Sequence, residues 1–358
     1  MDRRRLLGTA AAAAGVALIP GKAMAAGDGL AARVRPYLDR ALAAGAPSAV
    51  VGVIRGGRRY VAGAGQDGPA PDGRTVFQLG SIGKTLTATA LARAVGAGTV
   101  RLDTPLGLPS GFTVPRGETR RITLRDLATH SSGLPSLPAN LLDGADPYNP
   151  YAHYTLEDLA TGLPRTPLDN EPGSTYAYSN LGFGLLGQAL AFDGVDAMLR
   201  RRVAAPLGLP DTTTTLRPDM ASRKAVGHMA GEAVPDWRDR VLSGAGTSMY
   251  STADDMLRYL DAQLRPERSP LRDAIELTQR THFTDPDTGL RLGLGWHFGA
   301  LSGGRTVTWH NGGTYGFSTC AAFDRESGTA VVMMVNTYSD TARPFDALVF
   351  ALLDGLAS

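Results

Sequence analysis

Cysteine occurs once in this chain of 358 residues, at position 320, and lysine only at positions 22, 84 and 224. A single cysteine excludes an internal disulfide, so the fold must rest on its hydrophobic core. Within the apolar run "STCAAF", Cys320 reads as a small buried hydrophobe rather than a reactive thiol. Arginine carries nearly all the positive charge, yet outside the N-terminus it forms no stripe and no run longer than three residues, and no nucleic-acid partner is expected. There is no H-E-x-x-H pair and no cluster of His and Asp, so neither a metal nor another cofactor is expected. The G-x-S-x-G elbow of many serine hydrolases is also missing, because Leu79 stands where its first glycine would be. Internal repeats and low-complexity linkers are absent too.

What is present is ordinary globular composition, 43% hydrophobic and 20% charged, with ample material for a large core. The chain opens with "MDRRRLLGTAAAAAGVALIPGKAMAAG", which has a basic start, an apolar run from Leu6 to Ile19, and small residues Ala23 and Ala25 around Met24. That pattern is a secretory signal over residues 1–25 with an A-x-A cleavage site, and Arg3-Arg4 gives it a twin-arginine character. The apolar run falls short of the roughly 20 residues that span a bilayer, so no stable membrane span is expected after processing. The mature chain, residues 26–358, is expected to work in the periplasm or outside the cell. Losing Arg3, Arg4, Arg5, Lys22 and Asp2 removes a net +3 from the overall +2 and leaves the mature chain near −1.

Residues 28–45 read as a helix ended by Gly45, and "SAVVGVIRGGRRYVAGAG" as a hairpin turning at Gly56-Gly57. Ser81 to Val95 has helical spacing with a stop at Gly96, and "STADDMLRYLDAQL" is a helix capped by Ser251 or Thr252. From "LRLGLGWHF" onward the pattern is three to four strands, including "RTVTWHN", "FSTCAAF" and "TAVVMMVN", then a closing helix over about 342–352. Strands at both ends with helices between predict an α+β fold, in which one antiparallel sheet is flanked by helices. One lobe takes about 28–99 and 243–356, and an all-helical lobe about 100–242 is inserted between its halves, with the active cleft between the lobes.

The stretch "FQLGSIGKTL" invites a phosphate-loop reading, but Gln78 stands where that motif needs a glycine and the loop is too short to wrap a phosphate. The alternative is a pair, Ser81 and Lys84, three apart on one helix face near the N-terminal end of the dipole. A buried lysine can give up its proton, whereas a guanidinium cannot, so a lysine in this arginine-rich chain points to proton transfer. In "PGSTYAYSNLGFGLLG", Tyr178 and Asn180 enter a helix, and an ammonium nearby would favour the Tyr178 phenolate. In "TWHNGGTYGFS", His310 lies on a strand running into Gly312 and Gly313. The glycines admit a substrate along the strand edge, and the Gly313 and Ser81 N–H groups make a candidate oxyanion hole.

Ser81-Ile-Gly-Lys84, Tyr178-Ser-Asn180 and His310-Asn-Gly312, in this order, resemble the serine β-lactamase and penicillin-binding family. Within it the chain is similar to the class C β-lactamase branch, with its D-Ala-D-Ala carboxypeptidases, D-aminopeptidases and family VIII carboxylesterases. The likeness extends through "ITLRDLATHSSGLP", "APLGLPDTTTT" and "GAGTSMYSTADDMLRYL". The resemblance implies a β-lactamase/transpeptidase-like fold with Ser81 as nucleophile, Lys84 and Tyr178 as the acid–base pair, and Asn180 orienting the substrate. It leaves open which of Lys84 and Tyr178 takes the serine proton. It implies an acyl-enzyme route on amide or ester bonds of a small molecule or a peptidoglycan-derived peptide; the alternative is a penicillin-recognising sensor with little turnover. Two departures stand out. His-Asn-Gly replaces Lys-Thr-Gly, and in the F-E-x-G-S-x-S-K serine signature Gln78 replaces the acid and Gly83 the second small hydroxyl residue. Both lower the expected rate on β-lactams.

Overall fold

The structure, a computed structural model, describes residues 29–66, 68–192, 194–338 and 344–357; the signal-like segment lies outside them. Its centre is an eight-stranded antiparallel sheet. In chain order its strands are β1 (Ser48–Arg55), β2 (Arg58–Gly65), β7 (Phe283–Thr284), β8 (Arg291–Leu292), β9 (His297–Ala300), β10 (Thr306–Thr314), β11 (Phe317–Asp324) and β12 (Thr329–Val335). The spatial order is β2-β1-β12-β11-β10-β9-β8-β7, so the first hairpin docks onto the last long strand and the two ends of the chain share one sheet. Gly56 and Gly57, with φ of 55° and 75°, make the β1–β2 turn that only glycine adopts readily.

Strands β1 and β12 are apolar over Ala49–Ile54 and Ala330–Val335 because helices cover both faces of the sheet. On one face, the first helix, Leu30–Ala43, and the last, Pro344–Ala357, pack through Val34, Leu38, Val349 and Leu353 onto Val51, Val53, Val331 and Met333. On the other, the helix Ala253–Leu264 presses Met256, Leu257 and Leu260 onto Val50, Ile54, Val332 and Met334. A Cβ on Gly52 would stand 3.0 Å from Leu257, so that glycine lets the helix approach closely. Thr252 caps this helix by accepting the Asp255 N–H, and Asp254 and Asp255 sit in its first turn.

The central helix, Gly83–Gly96, is buried on all sides between this sheet and the segment from 100 to 245. It begins later than its spacing predicts: Gly80–Ile82 form a tight 3-10 turn with the helix proper following. It also runs through Gly96 before ending, and Gly98 supplies the positive φ. Between 100 and 242 the chain forms short helices, among them Leu124–Ala128, Leu156–Gly162 and Asn180–Leu190. The expected all-helical insert needs one correction. It carries the hairpin β4 (Gly227–Met229) and β5 (Glu232–Val234), turned at Ala230-Gly231 with both φ positive. β4 pairs in parallel with β13 (Thr337–Tyr338) and so ties the insert to the end of the sheet. A separate strand pair, β3 (Val76–Gln78) with β6 (Tyr250–Thr252), sets the chain just ahead of Ser81.

Candidate active site

The structure brings together all the residues singled out from sequence. Lys84, fully buried, places Nζ 2.9 Å from Ser81 Oγ, 2.7 Å from Asn180 Oδ1 and 2.9 Å from the Ala245 carbonyl oxygen. Tyr178 Oη lies 2.5 Å from the same serine oxygen, and its ring centroid is 4.8 Å from Lys84 Nζ. Ser81 itself is half-buried and open to one side. Burial pushes the Lys84 amine well below the ordinary lysine value. A neutral amine has two N–H groups and one lone pair. The Asn180 and Ala245 oxygens only accept, so in the neutral form they use both N–H groups and leave the lone pair toward Ser81 Oγ, whereas the ammonium donates to that oxygen as well. Ser179 keeps this corner in place as the helix cap, accepting the Gly182 N–H and donating to the Pro135 carbonyl.

Strand β10 forms the opposite wall. Its first half pairs with β9 as far as Trp309, whereas from His310 to Thr314 it pairs with β11 alone. The free edge faces the Gly80–Ile82 turn. A Cβ on Gly80 would stand 2.5 Å from the Gly313 nitrogen, and one on Gly312 would overlap the Leu79 carbonyl oxygen and stand 2.9 Å from the Ser81 nitrogen. Both glycines are therefore needed for the strand to pass this close, and the passage brings the backbone of Gly312 and Gly313 against that of Gly80 and Ser81. Alternation along the strand turns Asn311 to the other face, where its Nδ2 donates to Asp346 in the last helix. His310 is fully buried beneath the site rather than facing an open cleft; its Nδ1 is 2.5 Å from the Asn311 carbonyl oxygen and its ring 6.5 Å from Tyr178.

A family model described as Beta-lactamase matches residues 30–354. The chain belongs to the beta-lactamase family. The chain is similar to a D-alanyl-D-alanine-carboxypeptidase/endopeptidase, AmpH, of Escherichia coli K12, 31% identical over 81% of this chain and 80% of its own. Esterase EstB of Burkholderia gladioli is 29% identical over 79% of this chain and 82% of its own. A crystal structure from Yersinia pestis, described as a beta-lactamase/D-alanine carboxypeptidase complexed with citrate, superposes with a TM-score of 0.75 at 23% identity. It covers 91% of this chain and 98% of that one, and it carries the fold. With this kinship the chain is a serine hydrolase.

The structure also explains the two departures from the family's serine signature. Gln78 donates Nε2 to the Trp237 carbonyl, 2.8 Å, and accepts the Trp237 N–H at Oε1, 3.1 Å. A carboxylate can only accept, so an acid at this position would lose half of that clamp. A Cβ on Gly83 would come within 2.7 Å of Gly246 Cα, and one on Gly246 would strike the Gly80 carbonyl. A hydroxyl residue at 83 has no room because the chain at 246 packs directly on the helix start.

Sequence reasoning passed over His130. It is buried, sits at φ 55°, and stacks on the Tyr178 ring at 4.3 Å and 28°. Its Nδ1 accepts the Ser179 N–H at 3.0 Å, and its carbonyl accepts that of Ala177 at 2.7 Å, so it holds the turn carrying Tyr178 from both sides. Burial above all keeps this imidazole well below its ordinary pKa and therefore neutral near pH 7. The signal available was its place in "THSSG", where a histidine followed by two serines and a glycine marks a constrained turn.

Proposed function

We propose that the protein is an exported serine hydrolase acting through an acyl-enzyme on small esters and D-Ala-type amides in preference to β-lactams. The Ser81–Lys84–Tyr178 geometry carries this reading. Ser81 Oγ attacks the scissile carbonyl carbon while its proton passes to the Lys84 lone pair, and the new oxyanion lies between the Ser81 and Gly313 N–H groups. Tyr178, touching the same Oγ, delivers a proton to the leaving oxygen or nitrogen and is recharged from Lys84. Water then attacks the acyl-enzyme, and the products are a carboxylic acid with an alcohol or amine. Asn180 stands at the mouth of this network and orients the substrate, with Gly312 and His310 shaping the strand edge. The resemblance of residues 1–25 to a twin-arginine signal supports export. Among the described residues, no helix is long and apolar enough to cross a membrane.

The preference against β-lactams follows from His310, which supplies no permanent cation beside the strand where the β-lactamases of the class C branch keep a lysine. Turnover of a p-nitrophenyl ester, a D-Ala-D-Ala peptide and nitrocefin, side by side with Ser81→Ala, tests the proposal. Ester turnover is expected to be readily measured, nitrocefin slow, and Ser81→Ala inactive. Equal activity in Ser81→Ala overturns the mechanism, and fast nitrocefin hydrolysis overturns the preference.

A further inference from the structure

One buried carboxylate has no place in the proposed route, yet the groups it bonds belong to the loop that reaches Lys84. Asp239 Oδ1 accepts the Val241 and Leu242 N–H groups, 2.9 and 2.7 Å, and its Oδ2 accepts the Thr247 hydroxyl. Its backbone carbonyl accepts the Ser248 hydroxyl at 3.0 Å. A single side chain therefore closes the segment from 239 to 247 on itself. Within the closed segment Ser243–Ala245 form a 3-10 turn, followed by Gly246 at φ 79°. Two carbonyls of this turn meet the central helix: Ala245 accepts from Lys84 Nζ at 2.9 Å, and Gly244 accepts from the Thr87 hydroxyl at 2.7 Å.

Packing alone does not call for an acid here. Among the described residues no Lys, Arg or His forms an ion pair with Asp239; burial pushes its pKa up to about 6, and the bonds from Thr247, Leu242 and Val241 act against that rise. A desolvated carboxylate without a cation is costly, and what it supplies in return is geometry. Ionised at neutral pH, it accepts three donors at once, whereas the amide of an asparagine has a single accepting oxygen.

The two oxygens that aim the neutral Lys84 amine are held differently. Asn180 stands on a helix, whereas Ala245 stands on a short turn within a loop. A shift of the Ala245 oxygen by about 1 Å releases one amine N–H to turn toward Ser81 Oγ, and the lone pair then points elsewhere. We infer that Asp239 is a positioning residue for the Ser81–Lys84 proton transfer: by closing the loop it fixes the Ala245 carbonyl that, together with Asn180, directs the Lys84 lone pair to Ser81. The inference rests on the proposed role of Lys84 as the base.

The test is a cycle of wild type, Asp239→Ala, Lys84→Met and the double variant, read as kcat/KM for p-nitrophenyl acetate per folded enzyme. Asp239→Ala should lower kcat/KM by about tenfold or more in the wild-type background, and by less than about twofold in the Lys84→Met background, where no amine remains to be aimed. A role confined to folding or packing lowers both backgrounds alike. Asp239→Asn keeps an oxygen for the Val241 and Leu242 N–H groups and should recover most of the loss. If Asp239→Ala does not fold, Thr247→Val opens the same closure from its other end and is read in the same cycle. Equal losses in the two backgrounds, or no loss in the wild-type background, overturn the inference. Wild-type activity in Lys84→Met instead overturns the base reading, and this inference with it, so the two failures are told apart.

Discussion

The two faces of the eight-stranded sheet are covered by helices of opposite character. The face under Leu30–Ala43 and Pro344–Ala357 is mainly aliphatic, with Val, Leu, Met and Phe side chains meeting across it and the Asn311–Asp346 hydrogen bond as a polar contact. The face toward the central helix buries Lys84, Thr85, Thr87, Thr89, Ser251 and Asp255, each tied to a partner. Burying such groups costs free energy that only complete hydrogen bonding recovers. One face therefore stabilises the sheet, and the other spends stability to hold a removable proton beside Ser81. Substitutions on the two faces should separate cleanly into loss of stability and loss of turnover.

The largest separation is expected at Lys84. Lys84→Met should lower ester kcat/KM by about a thousandfold or more while changing stability little, since loss of a desolvated amine offsets the donor that the Asn180 and Ala245 oxygens lose. Lys84→Arg should be as inactive, and less stable, because its permanent charge stays buried. Full activity in a folded Lys84→Arg protein would undo the comparison. The mirror image is Leu353→Ala on the aliphatic face, expected to cost about 2–5 kcal/mol of unfolding free energy by denaturant titration and to leave kcat/KM of the folded fraction unchanged. Gly83→Ser probes the boundary between the faces. The family signature favours a hydroxyl there, yet contact with Gly246 Cα predicts a cost of about 1–3 kcal/mol together with reduced turnover. A stable, fully active Gly83→Ser protein would show that the chain at 246 yields.

The aliphatic face was legible in the sequence because its signals are local. Runs such as Ala49–Ile54 and Thr329–Val335 and the Gly56-Gly57 turn each sit within a few residues of what they specify, as does the Thr252 cap of the helix on the opposite face. Of the polar face, Ser81 and Lys84 were legible because a helix brings residues three apart together. The gathering of Tyr178, Asn180, His310 and Gly313 around them was legible only through resemblance, since no local rule joins positions so far apart. Hidden altogether were features that depend on two distant backbones meeting. The Gln78 clamp on Trp237 and the clearance between Gly83 and Gly246 look like arbitrary departures until those segments are seen in contact. The hairpin at Gly227–Val234 was missed for the same reason: its strands are short, and their partner is the distant Thr337–Tyr338.

Acidity offers a finer test of the polar face. As the base of the proposed route Lys84 must be neutral, so kcat/KM should rise with pH through its lowered value and reach a plateau well below the ordinary lysine range near 10.4. Absence of that limb in Lys84→Met, whose residual rate should be flat, assigns it to this amine.

The smallest effects are expected at His130, where the two roles meet in one side chain. Its folded pKa is held below the ordinary value of about 6.5, so between those two values the unfolded chain carries a proton that the folded chain lacks. Its contribution to stability is therefore present above about pH 6.5 and is lost as the pH falls through that window. His130→Asn keeps a residue that tolerates the positive φ and an oxygen able to accept the Ser179 N–H, while removing the ring beneath Tyr178. His130→Ala removes all three. Asn should abolish the acid-sensitive part of stability with a fall in kcat of about threefold, and Ala should lower kcat by about tenfold through misplacement of Tyr178. If the two variants match in kcat, the hydrogen bond to Ser179 contributes nothing to placing Tyr178, and ring stacking alone sets the phenol against Ser81.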